Sequence, residues 1–186
     1  PLSVFATPPD VAYAVYEMAM NHSGEIEALA RIVRPHCGVI TNIGTAHIGL
    51  LGSRDAIARE KKAITAMFDG RQTLIIPEDD DYAPFLAEGV AGEVRRFGPA
   101  AQEAEIAFDE NGGVELRFRD GVDRVPLKGR HNGMNALAAI RVAENAGIGR
   151  PRFAGREISA TFPEGRGQVI NLPTGGIVVH DAYNAN

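Results

Sequence analysis

Three consecutive stretches decide the fold: Cys37-Gly38-Val39-Ile40-Thr41-Asn42, the run from Ser53 to Phe68, and Gln72-Thr73-Leu74-Ile75-Ile76-Pro77. The first and third are apolar throughout, as strands buried on both faces are, and the run between them has the spacing of an amphipathic helix. Ser53 is a good N-cap and Gly70 lies just past the far end. Strand, helix and strand in this order predict a mostly parallel sheet flanked by helices, an α/β fold.

Working outward, Ala12 to Met18 reads as a further strand. Glu25 to Arg34 reads as a helix with Ile26, Leu29, Ala30 and Val33 on one face, stopped by Pro35. A short helix is expected around Tyr82 to Glu88. Beyond it, Val114, Leu116 and Phe118 alternate with Glu115, Arg117 and Arg119, and Asn111-Gly112 and Asp120-Gly121 favour tight hairpins. That pattern predicts a small antiparallel meander, taken to occupy about residues 93–128. Helices are expected from Asn132 to Asn145 and from Phe153 to Thr161, and closing strands at Gln168 to Asn171 and Gly176 to His180.

With 186 residues and 45 % hydrophobic content, the chain suits one well-buried unit. Its formal charge of -5, without a run of Lys or Arg, speaks against nucleic acid as a partner. No apolar stretch approaches the ~20 residues of a membrane span. Cys37 is the lone cysteine and reads as a small buried hydrophobe. A cytoplasmic monomer is the expectation.

Candidate site residues sit where strands end. Glu17 closes the first strand, where a carboxylate suits Mg²⁺ or is simply a solvated strand end; Asn21 and His22 follow in a loop that can meet substrate. Thr41-Asn42-Ile43-Gly44-Thr45-Ala46-His47 ends the second, and His47 is either structural or turned into the same crevice. Counted from Ile57, Lys61 falls about 40° away and Phe68 about 20°, so Lys61 lies within the apolar stripe, whereas Lys62 points about 140° away and reads as a solvated charge. An inward lysine is costly as an ammonium and its neutral amine can take up CO₂ as a carbamate; the alternative is that it snorkels to solvent. Asn132 either caps a helix or pairs with adenine through its amide. Arg166, flanked by glycines, suits a phosphate or an ordinary surface loop, and His180, Asp181 and Tyr183 complete the set.

In chain order these form Glu17-Met18-Ala19-Met20-Asn21-His22-Ser23-Gly24-Glu25-Ile26, Thr41 to His47, Lys61, Gly129-Arg130-His131-Asn132 with Asn135, Gly165-Arg166, and Asp181-Ala182-Tyr183-Asn184-Ala185-Asn186. The series resembles the central domain of the Mur ligase family over essentially the whole chain. The resemblance implies an ATP-dependent ligase working through an acyl phosphate, with UDP-N-acetylmuramoyl-tripeptide and D-alanyl-D-alanine as partners and ATP and Mg²⁺ as cofactors. It implies that Glu17, His47 and a carbamylated Lys61 are catalytic and hold the metal. It further implies that Asn132, Arg166, Asp181 and Tyr183 bind the nucleotide, and that Asn21 and His22 face the substrate. The family's Gly-Lys-Ser/Thr phosphate loop has no match in these residues, so the chain is expected to be a central-domain fragment, lacking that loop and the flanking N- and C-terminal domains and inactive by itself. Two further readings stay open: another amide ligase of the superfamily, of folylpolyglutamate or cyanophycin type, and a non-catalytic nucleotide-binding module.

Overall fold

β2 (Thr73–Pro77) is buried along its whole length, and the fold is built around it. It pairs in parallel with β1 (Cys37–Val39) on one side and with β3 (Glu93–Phe97) on the other. The computed structural model describes residues 1–150 and 168–180. Because side chains alternate along a strand, Leu74 and Ile76 enter one core and Ile75 the other. The first core is closed by α2 (Glu25–Val33), α4 (Arg54–Lys62) and α5 (Ala83–Ala87) through Ile26, Ile57, Ala58, Ala83 and Leu86. The second is closed by α6 (Arg130–Asn145) and by an antiparallel sheet of β4 (Ala104–Phe108), β5 (Gly113–Phe118) and β6 (Gly121–Lys128).

α6 is the shared element of the second core: Leu137, Ala138 and Ile140 meet Ile75 and Phe97 from one sheet and Ile106, Val114 and Leu116 from the other. At Gly133 the helix comes so close to β4 that a Cβ would stand 2.7 Å from Ile106. Arg141 fastens the same helix to the carbonyls of Arg96 (2.9 Å) and Ala101 (2.7 Å). Past the helix, buried Arg150 pairs with Asp123 at 3.0 Å and covers the Phe118 ring.

Ser53 caps α4 as expected, accepting from the Ala56 amide at 3.1 Å. The helix is shorter than its periodicity predicts: it gives way at Ala63–Thr65 to a 3-10 turn, which carries Ile64 and Phe68 against Gly38 of β1. Two other expectations are corrected. Ala12 to Met18 is not a strand; Val15 is 91 % exposed, and the segment is tied down by Tyr16 hydroxyl to Thr7 (2.6 Å) and Tyr13 hydroxyl to the Ala146 carbonyl (3.0 Å). A strand needs a ladder partner, and none among the described residues pairs with it. Glu93 to Phe97 belongs to the parallel sheet, so the meander begins at Ala104 rather than near residue 93. The closing strands, β7 (Gln168–Asn171) and β8 (Ile177–His180), form an antiparallel hairpin of their own, Gln168 opposite His180. The expected helix Phe153–Thr161 lies outside the described residues. Among the described residues no helix is long and apolar enough to cross a membrane.

Ile75 is the point where the two sheets share a core. Replacing it by Ala should lower the unfolding free energy by about 2–5 kcal/mol in a urea titration, and a loss below about 1 kcal/mol would show that the second core does not rest on β2.

Candidate functional site

Two of the residues singled out above, Lys61 and His47, belong to the region just past β1. β1 hands on its last ladder bond at Ile40, whose amide donates to the Ile75 carbonyl at 3.0 Å, and the chain then leaves the sheet. From there its peptide groups are held by side chains. Lys61, half-buried near the end of α4, donates from Nζ to the Asn42 carbonyl at 2.8 Å. The next amide, that of Ile43, donates to Asp80 Oδ2 at 2.8 Å, and the Ile43 carbonyl accepts from Arg54 Nη2 at 2.9 Å. Burial pushes the Lys61 ammonium below its ordinary pKa, while the charge of nearby Asp80 opposes the fall. The inward phase of Lys61 read from the sequence is therefore the geometry found: its amine lies under the end of β1.

The loop carrying Asn21 and His22 is held from two sides. Glu25 accepts from both backbone amides, at 2.6 and 3.0 Å, and these bonds hold its carboxyl at about 2, against an ordinary 4.5. Glu60, only 6 % exposed, accepts from the amides of Gly24 (2.8 Å) and Ile26 (2.9 Å), satisfying donors at the start of α2. The Asn21 and His22 residues themselves are exposed.

His47 stands at the start of α3 (Ile48–Leu51), half-buried, with φ of 65°, a left-handed conformation costly for a non-glycine residue. Glu17 is exposed; its neighbour Met18 packs against the core that contains Ile40, Ile43 and Ile57. Among the described residues no three His, Cys, Asp or Glu side chains cluster as a metal site. Of the expected metal ligands, Glu17 offers the hard oxygen that Mg²⁺ prefers, whereas His47 and Lys61 offer nitrogen. Asn132 does not act as the N-cap of α6. That position is Gly129, and the Asn132 amide donates instead to the Lys128 carbonyl at 2.8 Å, using one of the bonds the group offers. Arg166, Asp181 and Tyr183 lie outside the described residues.

Lys62 corrects the reading of a solvated charge. It donates to the carbonyls of Phe85 (2.7 Å) and Glu88 (2.6 Å), the unsatisfied end of α5, and its ammonium covers the Phe85 ring at 4.5 Å. Asp80, Arg54 and Glu60 were not singled out by sequence reasoning. The only signal for Asp80 was its place in the acidic run Glu78-Asp79-Asp80-Asp81 directly after β2. Cys37, expected to be buried, is half-buried, and that partial burial raises its thiol. A cavity of about 430 Å³ lined by Arg34, His36, Phe68 and Arg71 opens at the amino ends of β1 and β2, away from this site.

The family model of the Mur ligase middle domain matches residues 1–143. The UDP-N-acetylmuramoyl-tripeptide–D-alanyl-D-alanine ligase of Treponema pallidum is 34 % identical over all of this chain and 40 % of its own length. The ligase of the same name from Bacillus subtilis is 34 % identical over 100 % of the chain and 41 % of its own length. A crystal structure of MurF from Acinetobacter baumannii superposes with a TM-score of 0.85 at 30 % identity, covering 100 % of this chain and 42 % of that one. MurF from Thermotoga maritima, solved in complex with ADP, matches with a TM-score of 0.69 at 26 % identity over 91 % of this chain and 40 % of its own. The chain spans about 40 % of the length of the curated relatives it matches. The architecture is that of the corresponding region of these MurF structures.

Because Glu25 is more acidic in the fold, its contribution to stability is complete above the ordinary 4.5 and is lost as pH falls through about 2. Glu25→Gln should flatten the acid limb of stability against pH in that interval, measured by denaturant titration at successive pH values. A limb identical to that of the unsubstituted chain would contradict the assignment.

Proposed function

We propose a function on one premise: this chain belongs to the Mur ligase middle domain family. It is the ATP-handling part of a cytoplasmic ligase that joins D-alanyl-D-alanine to UDP-N-acetylmuramoyl-tripeptide in peptidoglycan synthesis. The observation that carries this reading is the half-buried amine of Lys61, set against the Asn42 carbonyl where β1 leaves the sheet. Support for the choice within the family comes from the relatives that match over the whole chain and bear that ligase's name.

In the reaction the tripeptide carboxylate attacks the γ-phosphorus of ATP, its oxygen–phosphorus bond forming as the bond to ADP breaks. The amine of D-alanyl-D-alanine then adds to the acyl phosphate, and the tetrahedral intermediate expels phosphate as the amide forms and the nitrogen gives up its proton. There is little bond-making for the protein to do, so its part is orientation and charge. In its neutral form, which burial favours, the Lys61 amine takes up CO₂: a nitrogen–carbon bond forms, one N–H proton leaves to solvent, and the N–H that remains can keep its bond to Asn42. The resulting carbamate, His47 and Glu17 are the residues that would hold Mg²⁺. That ion, when bound, offsets negative charge gathering on the transferred phosphoryl group. Asn132 pairs with adenine, while Arg166, Asp181 and Tyr183 serve the phosphates and ribose. Asn21 and His22, on a loop stiffened by Glu25 and Glu60, meet the tripeptide substrate.

The test is turnover by the complete polypeptide that contains this chain, supplied with ATP, Mg²⁺, the tripeptide precursor and D-alanyl-D-alanine. The expected result is one ADP and one phosphate per amide formed, with Lys61→Arg lowering kcat by on the order of 100-fold or more. Turnover with glutamate but not with D-alanyl-D-alanine would instead identify a folylpolyglutamate-type ligase.

A further inference from the structure

The peptide unit between Asn42 and Ile43 is gripped at both ends. Its carbonyl takes a bond from Lys61 and its amide gives one to Asp80, each at 2.8 Å, while the following carbonyl takes Arg54 at 2.9 Å. Ile43 itself is 2 % exposed, while Asn42 beside it is exposed. The grips are themselves braced. Asp80 Oδ1 accepts the Tyr82 amide at 2.9 Å, which orients the carboxylate at the start of α5. The Arg54 guanidinium forks onto Asp81 at 2.7 and 2.6 Å and stacks over the Tyr82 ring, 4.9 Å from its centre.

A strand continuing in the sheet would give these peptide groups to a neighbouring strand. Here they are spent on side chains from α4 and from the turn after β2, which turns the chain out of the ladder towards His47. His47 adopts its left-handed backbone four residues farther on, and such a conformation persists only where the surroundings impose it. Resting on the ligase reading above, we propose that Asp80 and Arg54 are positioning residues that align the Lys61 and His47 ends of the metal site. Neither touches metal or substrate; each acts through the backbone between the two.

The experiment measures Mn²⁺ binding by electron paramagnetic resonance on the complete ligase with ADP present, well below its unfolding temperature, together with KM for ATP and kcat. Asp80→Asn puts a donor where one of two acceptors was needed, and Arg54→Lys keeps the charge but loses the fork. Both are expected to raise the Mn²⁺ dissociation constant by about ten-fold or more and to lower kcat, with cooperative unfolding retained. Asp79→Asn, on an exposed neighbour, should stay within about two-fold of the parent. Mn²⁺ affinity within about two-fold of the parent in either folded variant of Asp80 or Arg54 overturns the proposal while leaving the ligase reading intact. If the parent ligase itself fails to hold Mn²⁺ with ADP, the ligase reading falls and this proposal with it.

Discussion

The burial of β2 on both faces is the constraint on which the rest of the structure depends. Five successive buried residues cannot be covered by a single layer, so the chain must supply material on two sides. On one side α2, α4 and α5 cover Leu74 and Ile76; on the other, α6 and the meander cover Ile75. Past the carboxyl end of β1 the chain leaves the ladder, and side chains from α4 and the turn after β2 meet its peptide groups. Polar groups collect there because backbone groups leaving a ladder need partners that hydrophobic residues cannot give.

One turn of α4 then organises that edge. Glu60, Lys61 and Lys62 are adjacent in sequence and point in three directions, each to backbone groups of a different element: the start of α2, the end of β1 and the end of α5. An acid meeting amides and two ammonium groups meeting carbonyls is the pairing that unsatisfied element ends demand. Only the middle residue, Lys61, is given a chemical part in the proposed reaction. Lys62 faces two carbonyls and an aromatic ring, a fully engaged ammonium, whereas Lys61 has one carbonyl and a burial that favours the neutral amine.

What could be read from residues alone was whatever rested on local periodicity. The β1–α4–β2 unit, the Ser53 cap and the inward phase of Lys61 all follow from spacing within one element. The failures share a non-local cause. Ala12 to Met18 has the composition of a buried strand, but composition does not report whether a ladder partner is at hand. Glu93 to Phe97 fell within the bounds taken for the meander, yet it is a strand of the parallel sheet, a pairing that its own residues do not report. Phase on α4 said that Lys62 points away from Ile57, and could not say that α5 ends there. Asp80 was hidden among like neighbours, since an acidic run after a strand gives no sign of which carboxylate turns inward.

The account stands or falls on the chemistry of the Lys61 amine. The most direct measurement is a ¹³C spectrum of the complete ligase equilibrated with ¹³C-bicarbonate, ADP and Mg²⁺, beside that of its Lys61→Arg variant; the lysines of this region are Lys61, Lys62 and Lys128. The account predicts a carbamate resonance that is lost with the substitution. Absence of the resonance from the unsubstituted enzyme, or its persistence in the variant, would contradict it.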